Sequence, residues 1–337
     1  MDTVEINWSD LVGHKAQAEE LRTLWQEGRL PHALLFTGAA GIGKKLCGQI
    51  LAKMILCGQE EAPCGQCENC RSFAAAAHPD YYELIPEVRG KSTRIIRIEA
   101  IREMQTVVSR SAIRAGQRVV LIDDADTMNE AAANSLLKTL EEPEGKVTFI
   151  LIAQDRSRLL PTIVSRCMPL SFGSLSPAEL KEELIRRQIP APEAEKLANL
   201  ADGSLGQALK LSTHDGLRLR EAAFAFLAGL PAFTLDRLWA EAAAKGEWDR
   251  EQLTDWLRHI SMLLRDMLLL YDDGASTLLY NSDLRGKLEE LLPDFSPGRL
   301  FAMHRQTCEL LRRLQANVNL RLQLEGYFIR LMDSRQG

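Results

Sequence analysis

The sequence predicts an α/β domain with a mostly parallel sheet, followed by a region that is helical throughout. Between residues 33 and 172, short apolar runs of β type alternate with helical patterns, as expected where helices connect parallel strands. From about residue 214 onward, apolar residues recur only at helical spacing. The length of 337 residues also suggests about two or three domains.

The charge balance restricts the classes of function. The chain has 41 basic and 46 acidic residues, a net charge of -5, which argues against a broadly basic nucleic-acid binder but permits local basic patches. Residues 1–10 lack the basic start and apolar stretch of a signal peptide. No run approaches the roughly 18 to 20 apolar residues needed to cross a bilayer. We therefore expect a cytoplasmic protein.

The α/β part can be interpreted in chain order. The strand candidates are ALLF at 33–36, YYELI at 81–85, RVVLI at 118–122 and VTFILIA at 147–153, and the helix candidates are 44–56, 99–110 and 130–141. The helix at 130–141 carries one apolar face made of Ala133, Leu136, Leu137 and Leu140. Pro143 is expected to end this helix.

After residue 172 the pattern becomes helical. Ser176-Pro177-Ala178-Glu179 predicts a capping box with proline at the first helical position, opening a helix that runs toward Arg187. A small helical unit then closes near Gly203-Ser204. Two apolar stripes follow: Leu257, Ile260, Leu264, Met267, Leu268 and Tyr271, and then Leu320, Leu324, Tyr327, Phe328 and Leu331. We interpret both as the core of a helix bundle, with an exposed partner surface as the alternative.

The stretch GAAGIGKK, from Gly38 to Lys45, matches a phosphate-binding P-loop at every position but the last. It follows a strand and opens a helix, so backbone N–H groups could cradle phosphate oxygens. The candidate nucleotide-binding residues in this stretch are Gly38, Gly41, Gly43, Lys44 and Lys45. The alternative is a plain glycine turn before a helix. Lys45 stands where Ser or Thr would ligate the magnesium that accompanies ATP.

Two further candidates end the strand RVVLI. Asp123 is placed to hold magnesium, and Asp124 is placed to orient an attacking water. Acidic residues at a strand end can also merely cap the next turn. Coupling to a P-loop favours the nucleotide interpretation, in which ATP or ADP is a possible ligand.

Four cysteines, Cys57, Cys64, Cys67 and Cys70, follow the spacing C-x6-C-x2-C-x2-C directly after the P-loop helix. Four thiolates within 14 residues can surround one zinc ion tetrahedrally. A closed set of four ligands indicates a structural site. Paired disulfides are the weaker alternative, because no oxidising compartment is indicated. We expect the isolated Cys47, Cys167 and Cys308 to be ordinary buried thiols.

Four segments together resemble the AAA+ clamp-loader subunits of bacterial DNA polymerase III: GAAGIGK at 38–44, IDDAD at 122–126, NSLLKTLEEP at 134–143 and TIVSRC at 162–167. The resemblance covers roughly residues 8 to 210. It implies an AAA+ P-loop core over 1–172 with a zinc module at 57–70, a helical lid over 173–212, and a helical collar over 213–337.

The resemblance also implies partners. Clamp-loader proteins form a ring of five subunits, including gamma or tau and delta chains, that loads the sliding clamp onto primer-template DNA. This chain would then be part of a polymerase holoenzyme whose polymerase chemistry lies in another subunit.

Departures from the motor subunits of the family indicate which role this chain has. Lys45 replaces the magnesium-binding hydroxyl, Ala153 and Gln154 stand where a threonine follows the strand, and Gly206 replaces the lid arginine. Each loss removes part of phosphoryl-transfer chemistry. We therefore predict that nucleotide turnover does not occur here. LPHALLF at 30–36 and HPDYY at 78–82 also look like the non-hydrolysing subunit of the family.

The motif Ser165-Arg166-Cys167 is intact. In the family it presents an arginine to ATP on the next subunit of the ring, so the resemblance makes Arg166 a catalytic candidate acting in trans. The alternative is an arginine that only pairs with a carboxylate near a strand end.

Two other hypotheses remain open. The chain could be an active ATPase motor that tolerates Lys45. Alternatively, the cysteine module could bind nucleic acid with help from the basic residues Arg89, Lys91, Arg94 and Arg97, although such charges more often form a solvated face.

Overall fold

The computed structural model describes residues 6–89, 93–213, 216–271, 279–314 and 319–333. The chain forms two compact units. The first runs to Val88 and resumes over Arg94–Glu183 and Gly203–Gly206, and the second contains Leu184–Asp202 and the chain from Gln207 onward. The predicted three-part division into core, lid and collar stays a prediction.

A parallel five-stranded sheet forms the centre of the first unit, in the order β2-β5-β6-β1-β7. Its strands are β1 (Ala33–Thr37), β2 (Tyr81–Leu84), β5 (Arg118–Ile122), β6 (Val147–Ala153) and β7 (Met168–Ser171). The three inner strands are buried along their whole length, which explains their continuous apolar runs. Since parallel strands end at the same edge of a sheet, the residues that follow β1, β2 and β5 come together there.

Three strands were not predicted. The edge strand β7 pairs only with β1 among the described strands and contains Pro169, a residue that an edge strand tolerates. A separate two-stranded sheet consists of β3 (Glu87–Arg89) and β4 (Thr93–Ile95). Each of these strands has three residues and is too short for a clear alternation.

Helices cover both faces of the sheet. They are α1 (Lys15–Gln26), α2 (Lys44–Cys57), α3 (Glu68–Ala74), α4 (Ile98–Val108), α5 (Glu130–Glu141) and α6 (Pro161–Val164). The predicted helix at 130–141 is α5, and it buries Ala133, Leu136 and Leu140 fully and Leu137 partly. The predicted capping box opens α7 (Pro177–Arg186), because the Ser176 backbone N–H donates to Glu179 at 2.8 Å.

The second unit is helical. Its helices beyond α7 are α8 (Ala191–Leu200), α9 (Leu205–Leu211), α10 (Arg218–Gly229), α11 (Leu235–Gly246), α12 (Arg250–Leu270), α13 (Arg285–Leu291), α14 (Pro297–Arg313) and α15 (Leu320–Asp333). Both predicted stripes line its core, around Trp256 and Phe328. Tyr271 is the exception, with 41% of its surface exposed.

These elements confirm the predicted fold class, an α/β P-loop domain with a parallel sheet followed by an all-α region. In the described parts of the chain, no helix is both long and apolar enough to cross a bilayer.

Candidate functional site

The P-loop joins β1 to α2 at the carboxyl edge of the sheet. Gly38, Gly41 and Gly43 adopt φ values of +144°, +73° and +106°, which L side chains rarely adopt. Space is also limited, because a Cβ on Gly38 would lie 2.4 Å from the carbonyl oxygen of Phe172. The sequence therefore places glycine where this backbone requires it. A plain glycine turn before a helix would have the same local geometry as a P-loop.

Lys44, the P-loop lysine, is turned back on its own loop. Its Nζ donates to the carbonyl oxygens of Gly38 at 2.6 Å and Ala39 at 2.5 Å. Burial lowers the pKa of Lys44, although the charges of Asp124 and Asp123 act in the opposite direction. A phosphate would have to compete with these carbonyl groups for the ammonium.

The segment Gly203–Gly206 lies against the P-loop. Gly206 N–H donates to the carbonyl oxygen of Gly41 at 2.8 Å, and the Ser204 hydroxyl donates to that of Ala40 at 2.9 Å. A Cβ on Gly206 would lie 2.9 Å from the Cα of Gly41. Gly206 is therefore in direct backbone contact with the P-loop.

Lys45 reaches the neighbouring strand ends. Its Nζ lies 2.6 Å from Glu83 Oε1 and 3.1 Å from Asp123 Oδ2. Burial lowers the pKa of Lys45, but the hydrogen bond with Glu83 and the charge of Asp123 outweigh it, so that the pKa lies above its ordinary value. The two predicted residues Lys45 and Asp123 are thus brought together, and Glu83 joins them.

Asp124 has a different partner. It has a left-handed backbone (φ 46°), and its Oδ2 accepts a hydrogen bond from Arg94 at 2.7 Å. Ala153 is buried at the end of β6 and Gln154 is exposed. Of the four basic residues considered for nucleic-acid binding, Lys91 lies outside the described residues. That hypothesis stays a prediction.

Arg166 follows the short helix α6 at the surface of the first unit. Its side chain is 34% exposed, and its guanidinium forms an ion pair with Glu141, the last residue of α5. A second nitrogen of the guanidinium donates to the carbonyl oxygen of Thr162 at 2.9 Å. Arg166 is therefore held in place and remains open to solvent.

The four cysteines form one cluster between α2 and α3. The sulfur atoms of Cys57, Cys64, Cys67 and Cys70 all lie within 4.8 Å of one another, with Cys57 and Cys67 3.8 Å apart and Cys64 and Cys70 4.0 Å apart. Four ligands about 2.3 Å from a tetrahedral zinc lie about 3.8 Å from one another. None of the four forms a disulfide. The cluster has the ligand number and spacing of a structural metal site.

Backbone donors surround the same sulfur atoms. The N–H groups of Cys64, Cys67 and Cys70 point at the sulfurs of Cys57, Cys64 and Cys67, each at 3.4 Å. The backbone N–H groups of Cys67 and Gln66 lower the pKa of the Cys64 thiol to about 6. Burial raises the pKa of Cys57 and Cys70. Donors of this kind stabilise thiolates, the form that binds metal.

Comparison with known proteins adds a family to this geometry. The family model "DNA polymerase III, delta subunit" matches residues 13–176, and "DNA polymerase III, delta subunit, C terminal" matches residues 235–332. DNA polymerase III subunit delta' of Escherichia coli is 32% identical over 93% of this chain and 92% of its own length. This chain belongs to the delta prime subunit family of DNA polymerase III.

Two further relatives agree with this membership. The delta prime subunit of Pseudomonas aeruginosa is 32% identical over 91% of this chain and 95% of its own length. DNA polymerase III subunit tau of Escherichia coli is 31% identical over 82% of this chain, but the match spans 47% of that longer protein. The matches to the two delta prime subunits thus span more than nine tenths of each protein compared, whereas the match to tau spans less than half of tau.

Sequence reasoning did not identify Glu83, Glu141 or Arg94 as partners of the site residues. Each lies on an element distant in sequence from the residue it contacts. Glu141 lies within the segment NSLLKTLEEP, and Glu83 directly follows HPDYY. Their proximity to these two family-like segments is the only sequence signal that could have drawn attention to them.

Proposed function

We propose that this chain is the non-hydrolysing, stator-type subunit of a bacterial DNA polymerase III clamp loader. In this function it assembles with gamma or tau and delta subunits into a ring of five, and the ring loads the sliding clamp onto primer-template DNA in the cytoplasm. The chain supplies Arg166 to ATP bound by a neighbouring subunit. It is not the polymerase itself.

The observation that carries the proposal is the state of the chain's own pocket. Lys45 replaces the magnesium-binding hydroxyl, and its ammonium pairs with Asp123. Lys44 bonds to loop carbonyl groups, and Gly206 provides no cation. Hydrolysis needs a metal ion and cations placed on the transferring phosphate, so these three features together favour a chemically silent pocket, with or without bound ATP or ADP.

Arg166 supports the second half of the proposal. An arginine presented to a neighbour must be reachable from outside, and the side chain of Arg166 is part exposed. Its fork of N–H donors suits phosphate oxygens, and an arginine supplied in trans can raise turnover by on the order of 10³ or more. The carboxylate of Glu141 pairs with this guanidinium in the isolated chain, and a phosphate of the neighbour would replace it.

We assign the cysteine cluster to one structural zinc ion. Cys57, Cys64, Cys67 and Cys70 would each provide a thiolate, which leaves no open coordination position for catalysis. Zinc would join the end of α2 to α3 and so stabilise this corner of the first unit.

Reconstitution with gamma or tau and delta subunits tests the proposal. We expect Arg166→Ala to assemble normally, as judged by gel filtration, and to lower DNA-stimulated ATP hydrolysis by at least about tenfold. Arg22→Ala, which removes an exposed arginine from α1, is the matched control and should behave like the wild type. Unchanged hydrolysis by the Arg166 variant would remove this residue from the mechanism.

The active-motor function is the second candidate, since tau of Escherichia coli is 31% identical to this chain. It predicts that the purified chain hydrolyses ATP by itself and that Lys44→Ala abolishes the activity. The stator function predicts no hydrolysis above a blank in either protein. A steady rate that depends on Lys44 would replace the first proposal by the second.

A further inference from the structure

We propose that Lys45 is a built-in cation that replaces the magnesium ion of the P-loop fold, so that Glu83 and Asp123 bind no divalent metal in the native chain. This inference rests on the proposed function, in which the chain does not hydrolyse ATP itself. It adds a reason for the missing hydrolysis: the ammonium group of Lys45 already fills the position of the metal ion.

The location of Lys45 is the first argument. It is the second residue of α2, where a P-loop protein carries the hydroxyl that ligates magnesium. Its Nζ lies 2.6 Å from Glu83 Oε1 and 3.1 Å from Asp123 Oδ2. A metal ion at this point would need the same two oxygen atoms that the ammonium holds.

The surroundings of Glu83 are the second argument, because they form a built site. Its other oxygen, Oε2, accepts hydrogen bonds from the Tyr81 hydroxyl at 2.8 Å and from Gln49 Nε2 at 3.2 Å. Both carboxylate oxygens therefore have partners, contributed by α2 and β2. Burial alone would raise the pKa of Glu83, but the hydrogen bonds from Lys45 and Tyr81 outweigh it, so that the pKa is lowered.

Electrostatics are the third argument. A cation near the amino end of a helix is unfavourable, because the helix dipole is positive there. Lys45 lies at this end of α2, so the carboxylates of Glu83 and Asp123 must offset that cost. A divalent ion beside the ammonium would be repelled. The residues present therefore do not fit the magnesium that accompanies nucleotide in this fold.

A latent metal site follows from this arrangement. If the ammonium is removed, two carboxylates face each other across the space it occupied. Carboxylate oxygens are the ligands that Mg²⁺ and Mn²⁺ prefer. Lys45→Met keeps most of the side-chain length and removes the charge, so it should convert the ion pair into a cation site.

The test uses electron paramagnetic resonance to measure Mn²⁺ binding by the full chain without nucleotide. The proteins are the wild type, Lys45→Met, Asp123→Asn, the double variant Lys45→Met with Asp123→Asn, and Lys146→Met as a control at an exposed lysine. We expect Lys45→Met to bind one Mn²⁺ more than the wild type, Lys146→Met to match the wild type, and the double variant to lose the gain. Where Lys45→Met does not fold, Lys45→Gln serves the same comparison.

A stability measurement provides the second readout. Lys45→Met should lower the melting temperature of the first unit by about 2–4 °C, as expected for the loss of a part-buried ion pair. Millimolar MnCl₂ should restore it beyond the effect of NaCl at equal ionic strength. The inference would be overturned if the wild type bound one Mn²⁺ and Asp123→Asn lost that binding. It would also be overturned if Lys45→Met neither bound an additional Mn²⁺ nor regained its melting temperature with MnCl₂. ATP hydrolysis by the wild type is a separate readout that bears on the proposed function.

Discussion

The guanidinium of Arg166 is paired with the carboxylate of Glu141, which ends the neighbouring helix α5. The carbonyl oxygen of Thr162 accepts a second hydrogen bond from the same guanidinium. In the proposed function, a phosphate on another subunit must displace Glu141. The pair is part exposed, so its contribution should be small, about 0.2–1 kcal/mol.

Glu141→Gln should therefore change the function of Arg166 only moderately. The neutral amide holds the guanidinium less tightly, and we expect DNA-stimulated ATP hydrolysis by the reconstituted loader to stay level or rise by up to about fivefold. Arg166→Lys should lower it, because lysine lacks the planar fork that binds phosphate oxygens in pairs. A loss in Glu141→Gln as large as that in Arg166→Ala would instead make Glu141 a required positioning residue.

The cysteine cluster predicts a defined metal content. We expect about one zinc per chain by elemental analysis and a loss of that zinc in Cys64→Ser. Because binding to the folded state stabilises it, Cys64→Ser should also melt at a lower temperature. Cys308→Ser changes a thiol outside the cluster and should retain the zinc. An unaltered melting temperature after verified metal removal would contradict a structural site.

The contact between the P-loop and the segment Gly203–Gly206 should make a substitution at Gly41 measurably destabilising. In Gly41→Ala the Cβ would meet the Ser204 hydroxyl oxygen at 2.5 Å, in addition to the strain at φ +73°. Gly145→Ala is the matched control, with φ +80° and no atom within 4 Å. We expect a loss of about 1–2 kcal/mol in the control from strain alone and about 1–3 kcal/mol more in Gly41→Ala, measured by urea unfolding. Equal losses would mean that this segment does not pack on the loop.

Asp80 predicts a pH dependence of stability. Its buried carboxylate accepts the backbone N–H groups of Ile113, Arg114 and Ala115 at 2.7, 2.7 and 2.9 Å. Burial alone would raise the pKa of Asp80, but these hydrogen bonds outweigh it, so the pKa is lowered on folding. The resulting stability is present above the unfolded pKa of about 3.9 and is lost as the pH falls through the folded pKa.

Asp80→Asn should accordingly cost about 1–3 kcal/mol at pH 7 and flatten the decline of the free energy of unfolding below about pH 4. Asp236→Asn, at an exposed aspartate in the first turn of α11, is the control and should keep the pH profile of the wild type. Identical pH profiles for wild type and Asp80→Asn would refute the assigned role of the three backbone donors.

Local features of this protein could be predicted from its sequence. The P-loop glycines, the four-cysteine spacing, the capping box at Ser176 and the face of α5 each depend on residues within one turn, loop or helix. Backbone geometry links such neighbours directly, so their spacing specifies their arrangement. The alternation of strand and helix also predicts that the sheet is parallel, but it does not specify the order of the strands. The short strands β3, β4 and β7 carry too few apolar residues to be recognised.

The sequence by itself determined the fold class, the position of the P-loop and the cysteine cluster, and the candidacy of Arg166. Only the tertiary structure decided which carboxylates hold Lys45 and Arg166, and that Gly206 contacts Gly41. The reason is physical: side chains from separate elements meet according to strand order and helix packing, which join residues far apart along the chain. The partner of a charge is therefore a property of the fold, while the charge itself is a property of the sequence.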